Sequence, residues 1–109
     1  VREIDPNQAI DYILKNSELF AQAKAERIFL EEFRKSKKAL LMQKHKDESI
    51  GAQEREAYAH PEYRELLEGL RAAIEREEKL RWDLVAAQAR VDVWRSQEAS
   101  NRRETRVTV

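Results

Sequence analysis

The chain has no cysteine. That absence removes a disulfide framework, thiolate metal ligands and a cysteine nucleophile, and it agrees with a reducing compartment. Glycine and proline occur only twice each in 109 residues, so the usual breaks between elements are scarce. Aromatic residues make up 7%, which argues against a large core. Charge of one sign is also missing: 21 basic side chains balance 21 acidic ones, and no overall field draws the chain towards nucleic acid or an anionic membrane. The longest apolar runs, such as Ala39 to Met42, fall far short of the roughly 20 residues that span a bilayer, and no signal-peptide pattern opens the chain. A soluble, cytoplasmic protein without membrane attachment is expected. The first residue is Val1 rather than Met, as in a trimmed chain, and Val1 to Glu3 are given no functional meaning.

What remains is charge, 39% of the chain, spread among good helix formers. The fold class expected is all-α: one domain over 1–109, a long antiparallel, coiled-coil-like helical hairpin with a short N-terminal helix. Asp5 can cap a helix whose first residue is Pro6, and Gln8 can reach back as in a capping box. Asn16-Ser17 offers a second cap ahead of Glu18, which places a short helix over 5–15 and a break or kink after it. A long helix follows over 17–44, with Phe20, Ala23, Phe29, Leu30, Phe33, Leu40 and Leu41 as a broad apolar stripe. The polar stretch around Gly51 makes 45–60 the reversal, with a short helical segment from Ala52 to Ala59. Pro61 starts the longest helix, 61–100, and 101–109 reads as a frayed tail.

Counting alternately four and three from Leu66 gives Leu70, Ala73, Glu77, Leu80, Leu84, Ala87, Val91, Trp94 and Glu98, a heptad seam interrupted mainly by Glu77. Glu77 reads as a paired or partly exposed acid that can also fix register. Helices of about 40 Å and about 60 Å cannot cover each other fully. The overhanging seam, Leu80, Leu84, Ala87, Val91 and Trp94, is therefore the expected interface of a homodimer, with the short N-terminal helix folding back as a second cover.

Residues 24–46 carry eight basic and three acidic side chains, and 47–79 carry ten acidic and five basic ones. Folding at the reversal sets these stretches antiparallel, so Arg34, Lys35, Lys37 and Lys38 are expected to meet Glu65, Glu68 and Glu75. The other reading makes Arg34, Lys35, Lys37, Lys38, Lys44 and Lys46 an outward phosphate-contacting patch. A second basic set, Arg90, Arg95, Arg102, Arg103 and Arg106, lies near Trp94, and Arg95, Arg102, Arg103 and Arg106 form the candidate contact for nucleic acid or a protein partner. Trp82 is the better candidate for an exposed ring. Catalysis has little to draw on: the two histidines, His45 and His60, have no metal-ligand neighbour at helical spacing, and no phosphate loop or nucleophile elbow is present. No catalytic, cofactor-binding or metal-binding residue is assigned, and a non-enzymatic protein is expected.

The segments Glu56-Ala57-Tyr58-Ala59-His60-Pro61-Glu62-Tyr63 and Val93-Trp94-Arg95-Ser96-Gln97, followed by Asn101-Arg102, resemble a group of small helical proteins of tailed bacteriophages and prophages, over most of the chain from Ala9 onward. Genes of that group commonly lie among early recombination and replication genes. The resemblance implies a phage accessory protein in a bacterial host cell, acting through protein contacts beside DNA recombination or replication. The alternatives are single-stranded nucleic-acid binding and inhibition of a host protein. It supplies no catalytic residues. Tyr58 and Tyr63 are expected to pack around the Pro61 corner, with Trp94 on the seam.

Overall fold

The computed structural model describes residues 3–108. Val1 and Arg2, at the start assigned no role, and Val109, the end of the expected tail, lie outside the described residues. Among the described residues there are three helices and no strand: α1 (Pro6–Gln43), α2 (Ile50–Ala59) and α3 (Pro61–Thr108). The all-α helical hairpin is what the composition and heptad spacing indicate.

The start of α1 follows the sequence. The Asp5 carboxylate accepts the amide N–H groups of Asn7 and Gln8 at 3.0 and 3.3 Å, which satisfies two donors that the first helical turn leaves over. The expected break at Asn16-Ser17 does not occur, and one helix, Pro6–Gln43, runs through both expected segments without a separate N-terminal element. The two side chains that could cap a new helix bond backward instead. Asn16 Nδ2 donates to the Tyr12 carbonyl at 2.9 Å and Ser17 Oγ to the Leu14 carbonyl at 3.2 Å, an outlet that lets Asn and Ser remain inside a helix.

Gly51 lies in the first turn of α2, with no positive φ. The reversal falls just before it, and Ser49 sets the start of α2 by accepting the Ala52 N–H at 3.2 Å. His60 separates α2 from α3, held extended (φ −67°, ψ 135°) as a residue before proline tends to be. Its Nδ1 accepts the Glu62 N–H at 3.1 Å and so caps α3. The tail does not fray at residue 101: α3 continues to Thr108, where Thr105 Oγ1 donates to the Asn101 carbonyl and Arg106 sits favourably in the last turn.

The chain divides into two compact units. In the unit Ala21–Glu78, Leu41, Ala57 and Tyr63 form a small buried cluster with Met42 against it, and Tyr58 meets Tyr63 edge to face at 5.3 Å. The tyrosines thus pack the Pro61 corner as expected. Along the helix pair leading from this corner, the protected positions of α1 alternate four and three apart (Ala23, Arg27, Leu30, Arg34, Lys37, Leu41), facing Tyr63, Leu66, Leu70, Ala73 and Glu77 of α3. The apolar stripe expected on α1 therefore splits: Leu30 and Leu41 turn inward, whereas Phe29, Phe33 and Leu40 are exposed. The second unit joins the stretch of α1 up to Phe20 with α3 from Lys79 on, around buried Ala9 and Ala87.

Glu77 is paired, as its place in the seam suggests. Arg27 donates from Nε to Glu77 Oε2 and from Nη2 to Oε1 at 3.0 Å, with a third bond from Nη1 to Glu31 at 3.1 Å. The Glu77 side chain keeps 12% of its exposure and that of Arg27 25%. Hydrogen bonding to Glu77 holds the guanidinium proton more tightly than usual. A fork-to-carboxylate contact between two seam positions sets which residues face each other. Glu77→Leu, which leaves the guanidinium only its bond to Glu31, is expected to lower the thermal midpoint, and adding Arg27→Leu to recover most of the loss, since an apolar pair fits that layer. Thermal melts followed by circular dichroism check both; a double variant as unstable as the single one would contradict this account.

Candidate functional site

Leu80, Leu84, Ala87, Val91 and Trp94 do form the protected face of α3, but not as an overhang. Ala87 is buried and the other four are half-buried within a single chain. The reason is the unbroken α1: because it begins at Pro6, its first turns join α3 from Lys79 on in one compact unit. These residues lie on the seam, yet they do not need a second chain to cover them.

Arg95, Arg102, Arg103 and Arg106 are all exposed, and the last three line a shallow concavity with Ala99. None of the four is ion-paired among the described residues. Trp94 is half-buried on the seam, so no free indole stands beside them. Trp82 is the exposed ring, at 59%, with the Arg81 guanidinium over it at 4.6 Å.

The basic cluster of α1 is largely neutralised, though by other acids than expected. Lys37 pairs with Glu62 at 3.0 Å, Lys38 with Glu54 at 3.4 Å and Lys35 with Glu32 at 3.4 Å. Glu68 turns to Arg71 on its own helix instead. The difference comes from α2 and the corner, whose placement brings Glu54 and Glu62 nearer than the exposed acids farther along α3. Lys38 also lies 4.7 Å from the centre of the Tyr58 ring, and its ammonium is held charged to higher pH than usual, by the Tyr58 side chain first and Glu54 after it.

The feature that sequence reasoning missed is the exposed side of the Ala21–Glu78 unit. Phe29 and Phe33, one helical turn apart, stack at 5.7 Å with planes 10° apart, yet keep 59% and 38% of their exposure. Beside them runs a groove of about 330 Å³ between α1 and α3, lined by small residues (Ala23, Gly69, Ala72, Ala73) with Leu30, Glu26 and Arg76. Exposed stacked phenylalanines next to a small-residue groove are suited to receiving a helix. A signal was present: Leu19, Phe29, Phe33 and Leu40 fall on a second four-and-three spacing alongside the first, with Gln22, Glu26 and Ser36 as its polar members. A single broad stripe hid it.

Among the described residues no group of three or more His, Asp or Glu is placed to hold a metal ion, and no helix is long and apolar enough to cross a membrane. No protein-family model, curated protein or solved structure matches the chain.

Electrostatics at the corner has a measurable signature. Hydrogen bonding and charge from Lys37, helped by Lys44 and His60, hold the Glu62 carboxyl below its ordinary value of 4.5. Between the folded and ordinary values the unfolded chain binds a proton that the folded chain does not, so this contribution is complete above 4.5 and disappears as pH falls through the folded value. Glu62→Gln is expected to flatten the acid side of the stability profile below about pH 5 relative to wild type, read from urea midpoints at several pH values.

Proposed function

We propose that the chain is a non-enzymatic protein-contact module, a helical hairpin whose exposed face in the Ala21–Glu78 unit receives a helix of a partner. The observation that carries this reading is the stacked, solvent-exposed Phe29–Phe33 pair beside the Gly69 and Ala72 groove. A surface of that kind costs solubility unless something covers it. The similarity to phage helical proteins supports an accessory role in a bacterial cytoplasm, with a partner from phage recombination or replication or from the host. Inhibition of a host protein would use the same face.

Direct binding of single-stranded nucleic acid is the second reading, favoured by the four exposed arginines at the end of α3, which take no ion-pair partner among the described residues. Against it stand the zero net charge, the acidic neighbours Asp92, Glu98 and Glu104, and the position of Trp94. A photo-crosslinking amino acid at position 33 is expected to give protein adducts in cells. Fluorescence anisotropy with a labelled oligonucleotide is expected to show no binding at physiological salt. Micromolar binding whose log affinity falls with log salt at about −0.7 per phosphate, roughly −3 for four contacts, and which is lost when Arg95, Arg102, Arg103 and Arg106 become glutamine, would replace the contact reading with the second one.

A further inference from the structure

We infer that the occupant of this face is a second copy of the chain, docked about a two-fold axis so that each copy's Phe29 and Phe33 enter the groove of the other. The inference rests on reading the face as a contact surface and adds the identity of its partner.

A two-fold interface uses one patch twice, so that patch must hold both halves of every contact it makes. This one does. The protrusion is the phenylalanine stack, and the recess, floored by Gly69, Ala72 and Ala73, lies directly beside it. The rims carry one acid, Glu26, and one base, Arg76. Neither takes an ion-pair partner among the described residues, although the Arg27–Glu77 bonds place them at nearly the same height on facing helices.

The small offset in height, about 3 Å, stays constant along the groove. From Glu26 to Phe33 is seven residues up α1, and from Arg76 to Gly69 is seven residues back along antiparallel α3. Both steps advance about 10.5 Å in the same direction. A two-fold axis running along the helix pair preserves height, so it sets Phe33 of one copy over Gly69 of the other and Glu26 of one copy beside Arg76 of the other. Each contact then occurs twice.

Gly69 adds an independent point. Glycine weakens a helix interior, and within the chain nothing lies within 4 Å of where its Cβ would be. Its lack of a side chain is thus not required by any close approach inside one copy. The docked phenylalanine ring supplies that approach. With zero net charge, two copies also meet without overall repulsion.

The test is sedimentation equilibrium of the full chain over a concentration series, with folding checked by circular dichroism. Wild type is expected to dimerise at tens of micromolar. Glu26→Arg and Arg76→Glu each set like charges together, and each is expected to weaken association at least about tenfold; the double swap Glu26→Arg/Arg76→Glu should restore it. Gly69→Leu, whose Cβ meets nothing within 4 Å in the single chain, should weaken association while leaving the helical signal intact. A wild-type monomer at hundreds of micromolar overturns the inference, as does a dimer unaffected by either charge swap. The crosslinker at position 33 separates the two levels of the argument. Adducts at twice the chain mass support the dimer, adducts only with another protein overturn the dimer but keep the contact module, and the absence of any protein adduct overturns both.

Discussion

The arrangement of the hairpin depends on the bidentate contact between Arg27 and Glu77. Apolar heptad seams are permissive, because sliding one helix by seven residues still sets apolar positions against apolar positions. A guanidinium facing a carboxylate is not permissive, since a slip would break the two bonds between the helices and leave the half-buried Arg27 only its contact with Glu31 on its own helix. With that layer fixed, Leu41 comes to Tyr63 at the corner and Glu26 comes level with Arg76. The corner cluster and the groove are both consequences of this register.

Much of α3 was legible in the sequence because its signals are redundant. Pro61 fixes its start, and the ten positions counted from Leu66 to Glu98 all lose exposure. Asp5 was legible for the same reason, with a cap, a proline and a polar third residue all agreeing. Asn16 and Ser17 were not, because their side chains bond equally well to a free amide ahead or to a carbonyl behind. That choice depends on whether the helix continues, which packing against α3 decides. The partners of Lys37 and Lys38 were hidden by the same kind of dependence: Glu54 and Glu62 approach only once α2 and the corner are in place.

The exposed phenylalanines show how a correct pattern can be read too coarsely. Phe20, Leu30 and Leu41 belong to the seam, whereas Phe29, Phe33 and Leu40 lie a fraction of a turn away, and a hydrophobic stripe wide enough to hold both sets looks like one face. Helices with two adjacent seams are suited to assemblies of more than two helices, while a hairpin alone supplies one neighbour for each long helix. The surplus seam is where the chain's sequence exceeds what its own fold uses.

The corner also governs the order in which the chain can organise. Leu41 and Tyr63 are separated by 22 positions, Arg27 and Glu77 by 50, and each layer of the seam lies farther apart along the chain than the layer before it. Once the Leu41–Ala57–Tyr63 cluster has formed, however, the next layer needs only a few more residues to be ordered, because the loop is already closed. Contacts that are remote in the sequence thereby become effectively local, and assembly is expected to proceed as a zipper from the corner outward. In native-state hydrogen exchange the slowest amides are then expected near the corner, with protection declining layer by layer along both helices.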